Sequence, residues 1–231
     1  MRYRLRQIEM ENKFCQELHV EAITRVLPTQ EIKAALDAEN VQASRVRKLN
    51  LLVTVLVIVG MNLYPFLSLG HVMQKMARGL RFIWPDPDYD VVKDSALSYR
   101  RYQLGPRVMV RLFRQICRPI AAPETKGAFL FGLRMMAIDG TEETIADTPA
   151  NEAVFGRHHT GRSPAAFPQV QCVYLAECGT HAIVDAGFWP IHTSERIGGR
   201  RLLRSITAGM LVMWDRGFHE YDMIVGVQER Q

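Results

Sequence analysis

Cysteine is scarce and unpaired in this sequence. Cys15, Cys117, Cys172 and Cys178 form no CxxC pair, and no histidine stands at a ligand spacing beside Cys172 and Cys178, the two closest together. The pattern argues against a zinc module and reads as reduced thiols of a cytosolic protein. Long apolar runs are lacking too. The run Leu51–Met61 spans 11 residues, with Asn50 and Asn62 at its edges and Pro65 just beyond. A membrane-spanning helix needs roughly 20 apolar residues, so this stretch reads as a buried helix of a soluble domain. The N-terminal MRYRLRQIEMENK carries charge without an apolar core, which excludes a secretory signal. There is no glycine-rich phosphate loop and no serine nucleophile elbow, and no internal repeat or low-complexity segment.

Charge is present and unevenly placed. The 231 residues carry a formal net charge of +5. Residues 1–130 hold a surplus of eight positive charges, and residues 131–231 a surplus of three negative ones. A basic first half and a mildly acidic second half suit a polyanion-binding module joined to an acid-bearing catalytic module, although ordinary charge scatter in a soluble protein is the plainer alternative.

The first half, 1–130, reads as helical. Thr29 can cap a helix that puts Ile32, Ala35 and Leu36 on one face. A basic patch, Arg45, Arg47 and Lys48, precedes the buried run 49–64. Leu67–Leu80 follows as an amphipathic helix with Leu69, Val72, Met73 and Met76 on one side, and Trp84-Pro85-Asp86-Pro87 breaks the chain. Residues 94–104 and 106–118 read as two helices divided by Gly105-Pro106, the proline being well placed as a first helical residue. In the second of them Val108, Leu112 and Ile116 form an apolar row. Arg107, Arg111, Arg114 and Arg118 recur at spacings of 4, 3 and 4 and so share a face. That row is either a phosphate-tracking stripe on DNA or a solvated surface face.

The second half, 131–231, carries strand signals. Leu133–Ile138 reads as a first strand ending at Asp139, and residues 140–168 as a long irregular connection. Gln169–Leu175 and His181–Phe188 read as two strands joined by a tight turn around Cys178-Gly179-Thr180. A helix over Ser194–Ser205, a strand Met210–Trp214 ending at Asp215, and a helix from Gly217 complete the order β, β, β, α, β, α. Asp139 and Asp215 thus fall at the ends of the first and fourth strands, which can lie side by side. Paired carboxylates there can share Mg²⁺, or Mn²⁺ as a substitute, and a two-metal site is built for phosphodiester chemistry. A turn or helix cap is the alternative for either aspartate alone. Arg216 and His219 follow the second acid and could contact phosphate, and Arg216 could equally pair with Asp215.

At these residues the sequence resembles the IS4-type insertion-sequence transposases. LPTQEIKAALDA followed by RVRKL and a long apolar helix is similar to that family's N-terminal domain, and SALSYRRYQLGPRVMVRLF to the helices leading into its catalytic domain. AIDGTEETIADTPANEAVFGR and GRSPAAFPQVQCVYLAECGTHAIVDAGF resemble the start of its RNase H-like fold, and GGRRLLRSITAGMLVMWDRGFHEYDMI the segment around its second catalytic aspartate. The resemblance implies an α+β chain: a helical DNA-binding domain followed by an incomplete RNase H-like mixed α/β domain. It implies a DDE-type transposase that cuts and joins DNA, with Asp139 and Asp215 as its first two acids. It also implies magnesium, the element's terminal inverted repeats in double-stranded DNA as partner, a homodimer or full-length transposase as protein partner, and a bacterial cytoplasmic, nucleoid-associated location with no membrane. The family's third acid, a Glu in a motif with Tyr, Arg and Lys, has no counterpart here. The expectation is therefore a truncated form inactive alone, a DNA-binding fragment that competes with full-length transposase, or a non-functional remnant.

Overall fold

The computed structural model describes residues 20–42, 49–83, 94–161 and 163–230. They form two compact units that divide between Ile116 and Cys117. Arg45, Arg47, Lys48, Cys15 and the Trp84–Pro87 break lie outside the described residues.

The first unit is helical: α1 (Val20–Val26), α2 (Thr29–Ala38), α3 (Leu51–Leu63), α4 (Leu69–Ile83) and α5 (Asp94–Ile116). Helix α3 is apolar nearly all round, and it is buried for that reason, packed by α2, α4 and α5. Its start is fixed by Asn50, whose side-chain oxygen accepts from the Val53 N–H at 2.8 Å. Ile32, Ala35 and Leu36 on α2, Val72, Met73 and Met76 on α4, and Val108 and Leu112 on α5 all enter the same core. The cap of α2 differs from expectation. Pro28, not Thr29, occupies it, with its carbonyl accepting from Glu31 and Ile32 while Thr29 already stands in the first turn. Gly105 divides α5 at φ 66°, ψ 171°, a conformation closed to residues with a Cβ, so two helices meet end to end there as the sequence suggested. Among the described residues no helix is long and apolar enough to cross a membrane.

The second unit is built on a five-stranded sheet. Its strands are β1 (Phe129–Leu130), β2 (Leu133–Thr144), β5 (Gln169–Glu177), β6 (Ile183–Pro190) and β7 (Met210–Trp214). Across the sheet the order is β6-β5-β2-β7. The contacts β6–β5 and β5–β2 are antiparallel, β2–β7 is parallel, and β1 forms a short hairpin with the start of β2. Helix α7 (Glu195–Leu202) packs on β5 and β6, a 3-10 turn (Leu203–Ser205) continues it, and α8 (Tyr221–Gln228) packs beside α7. Met136, Ile138, Leu175, Leu202 and Phe218 are fully buried between these layers.

Three expectations need correction. Strand β2 does not stop at Ile138 but runs on to Thr144, because β5 pairs with it residue by residue from Met136↔Glu177 to Thr144↔Gln169. The connection after it is not irregular throughout. It holds α6 (Pro149–Phe155), capped by the Thr148 hydroxyl, and a small hairpin, β3 (His159–Thr160) with β4 (Ser163–Pro164). Finally, His181 stands in the turn before β6 at φ 60° rather than in the strand.

Residues 117–130 group with the sheet unit, ahead of the division at 130/131 read from composition. A buried carboxylate explains this. Glu177, on β5, accepts from the Ile120 N–H (3.0 Å), the Ala121 N–H (2.8 Å) and the Thr180 hydroxyl (2.6 Å), and pairs with Arg134. Burial pushes its pKa up, but the four donors together hold it below the ordinary carboxylate value. Asp185 on β6 is anchored alike. Burial raises its pKa, and the Arg204 fork (2.8 Å to each oxygen), the Ser205 hydroxyl (2.6 Å) and the Ala186 N–H (2.8 Å) bring it below the ordinary value.

Candidate active site

The parallel ladder between β2 and β7 runs from Arg134↔Met210 to Ile138↔Trp214. One step further along the two chains stand Asp139 and Asp215. Asp139 is mid-strand, still paired with Tyr174 of β5 on its other side, whereas Asp215 is the first residue past β7. Asp215 keeps extended backbone (φ −78°, ψ 176°), so it continues the direction of its strand. Side chains alternate along strands. Met136 and Ile138 are buried under the helices, so Asp139 takes the opposite face, and there it is exposed. Asp215 is exposed too, and follows Trp214, the partner of Ile138. Register and alternation thus set the two acids on one face of adjacent strands, about 4.8 Å apart along the hydrogen-bonding direction.

Each carboxylate is held by one oxygen. Asp139 Oδ1 accepts from the Gly140 N–H at 2.8 Å. Asp215 Oδ1 accepts from the Gly217 N–H at 2.8 Å and so caps the 3-10 turn Arg216–Phe218. The second oxygen of each has no hydrogen-bond partner among the described residues. Among those residues no group of three or more His, Cys, Asp or Glu is placed to hold a metal ion. Tyr174 faces Asp139 across the β2–β5 ladder. Burial and its bond to Cys172 push its phenol up to about 12, so it stays protonated at neutral pH. Arg216 and His219 are exposed, and Arg216 makes no ion pair with Asp215.

Sequence reasoning missed the groups that support this arrangement. Arg196 of α7 donates through Nε to the Gly217 carbonyl at 2.8 Å and ties down the turn that Asp215 caps. Beneath the strand, on the helix side, the Glu195 carboxylate lies against Gly140: a Cβ there would meet its Oε1 at 2.5 Å. The buried Gln171 amide links the same layer, donating to Glu195 Oε1 (3.2 Å) and the Thr141 carbonyl (3.3 Å). Only one local signal was available, the glycine directly after Asp139, since glycine in a strand marks a close approach.

In the helical unit, Arg107, Arg111 and Arg114 stand along the second half of α5, which ends at Ile116 rather than 118, so Arg118 lies beyond the helix and in the sheet unit. Arg107, Arg114 and Arg118 are exposed, and Arg111 is half-buried against Glu39.

Residues 17–114 match the family model described as the insertion element 4 transposase N-terminal domain. The similarity over these residues is to the IS4-type transposases. It is 29% identical over 133 residues to the transposase InsG for insertion sequence element IS4 of Escherichia coli (strain K12), covering 58% of this chain and 30% of that relative. It is 25% identical over 137 residues to the putative transposase InsZ of the same strain, covering 59% of this chain and 46% of the relative. The match thus covers less than half the length of each. No solved structure matches the chain. The family model falls on the helical unit, and Asp139 and Asp215 lie outside the residues it matches.

Proposed function

We propose that this chain carries parts of an insertion-sequence transposase of the DDE type, a DNA-cutting and DNA-joining enzyme. The observation that carries the reading is the β2–β7 register, which brings Asp139 and Asp215 together on one exposed face. The strand order adds support. Numbered as they occur, the four long strands lie 3-2-1-4, with the first antiparallel to the second and parallel to the fourth, the arrangement expected of an RNase H-like sheet.

The donor set fits a divalent cation. Carboxylate oxygens without nitrogen or sulfur ligands suit magnesium or manganese. Each acid is steadied by a backbone N–H on one oxygen and keeps the other free. Asp139 and Asp215 would hold the ion, which when bound supplies Lewis acidity for phosphodiester chemistry. The chain's own residues do the positioning. The β2–β5 ladder fixes Asp139, and the Gly217 turn, held by Arg196, fixes Asp215. Arg216, free of its neighbouring acid, can take a DNA phosphate. Two carboxylates alone would hold such an ion weakly. A second reading, a DNA-binding module, draws on the arginine row of α5.

Titration calorimetry with Mg²⁺ and Mn²⁺ tests the site, comparing the chain with Asp139→Asn and Asp215→Asn. Binding by the parent that vanishes in either variant is the expected result. Equal heats in all three, or none in the parent, would overturn the two-acid site.

A further inference from the structure

The helical unit contains a cavity of about 390 Å³, lined by Glu39 just past α2 and by Arg107, Val110, Arg111 and Arg114 of α5. Three guanidinium groups face one carboxylate. Arg111 Nε donates to Glu39 Oε1 at 2.6 Å, with the Glu39 side chain only 16% exposed. Arg107 and Arg114 are exposed and have no ionic partner among the described residues. The cavity therefore holds a surplus of positive charge, and its one internal counter-charge is committed to a single arginine. Guanidinium forks match phosphate oxygens in pairs, which lysine cannot imitate.

We propose that this cavity receives a backbone phosphate of duplex DNA, and that Glu39 is a built-in competitor that occupies Arg111 until the phosphate displaces it. The inference rests on the reading of the chain as a DNA-acting protein and adds a regulation of that contact. The layout favours a polymer over a free anion. Arg107, Arg111 and Arg114 extend along roughly 10 Å of helix, at 1.5 Å per residue, so the charges form a row as well as a pocket. A row matches successive phosphates of one strand.

Fluorescence anisotropy of the whole chain with a short duplex, over a series of salt concentrations, tests this. Arg107→Ala with Arg114→Ala should lower the slope of log K against log salt by about 2, near 0.9 per lost phosphate contact. Both residues are exposed, so thermal unfolding should not change. Glu39→Gln should tighten binding severalfold, well beyond Glu31→Gln, an exposed acid of the same helix that controls for general charge. Adding Arg111→Lys, which keeps the charge but loses the fork, should cancel the gain. If the parent binds duplex while Glu39→Gln behaves like Glu31→Gln, or the double variant keeps its slope, the pocket is overturned and the DNA-acting reading stands. If the parent fails to bind duplex even at low salt, that reading fails and the pocket with it. Calorimetric binding of inorganic phosphate that depends on Arg111, with duplex affinity unchanged across the variants, would assign the cavity to a small anion and overturn the proposal.

Discussion

Gly140 sits between two carboxylates on opposite faces of one strand: Asp139, one residue before it, is exposed, and Glu195 presses against its Cα from the helix side. A methyl group there would stand 2.5 Å from Oε1 of Glu195, so the end of that side chain would have to swing away from Gln171. Gly140→Ala should therefore destabilise the sheet unit by about 1 kcal/mol, the scale of the Gln171–Glu195 hydrogen bond that the shift would break. Adding Glu195→Ala should recover most of the loss in urea denaturation, whereas Glu195→Ala alone leaves Gly140 unstrained. Additive penalties in the double variant would show that the contact is not the reason for the glycine. The position of Asp139 and Asp215 on neighbouring strands was legible at this scale because each follows a short apolar run. Gln171, Glu195 and Arg196 were not, because their work depends on partners many residues away that no local pattern reveals.

At the level of elements, the buried helix was the easiest part to read. Leu51–Leu63 is too short for a bilayer and too apolar for a surface, and Asn50 announces its start. Asn50→Ala removes the acceptor for the Val53 N–H and should destabilise the helical unit by about 1 kcal/mol, measured by thermal or chemical unfolding. An unchanged midpoint would mean that packing alone sets the helix start. Strand β2 was harder. Its first half is an apolar run, but its second half, Gly140–Thr144, has no buried face to betray it, and it is a strand only because β5 supplies the ladder. Helix α6 was hidden for a related reason: none of its residues is buried, so it lacks the apolar stripe that marks a helix in sequence. The arginine row was legible as a row, but that it ends at Arg114 within the helix, and that Arg111 is engaged by Glu39, 72 positions away, was not.

For the molecule as a whole, two separate hydrophobic cores imply more than one unfolding step. Acid should act on one of them. Glu177 and Asp185 both belong to the sheet unit, and both have folded-state pKa values below the ordinary carboxylate values. The stability they contribute is fully present above their unfolded values, near 4.3 for Glu and 3.9 for Asp, and is lost as the pH falls through the folded values. Urea unfolding below about pH 4 should therefore weaken the sheet transition more than the helical one. Glu177→Gln should flatten that acid dependence and lower sheet stability at neutral pH by roughly 2–3 kcal/mol, the scale of a lost charge-assisted network in a buried site. Parallel acid responses of the two transitions would rule this out. The pairing of basic helices with an acid-bearing sheet was visible in composition; the boundary was not, because residues 117–130 join the sheet through Glu177, a long-range bond. The ladder that holds Asp139 on β2 also sets a difference in tempo. Its amide lies inside a sheet that opens only when the unit unfolds, while Asp215 heads a three-residue turn that can fluctuate locally. In hydrogen exchange the first acid belongs to the slow part of the molecule and the second to the fast part. Changes in the distance between them should therefore come from the side of Asp215, and loosening the Arg196 grip on its turn should make them more frequent.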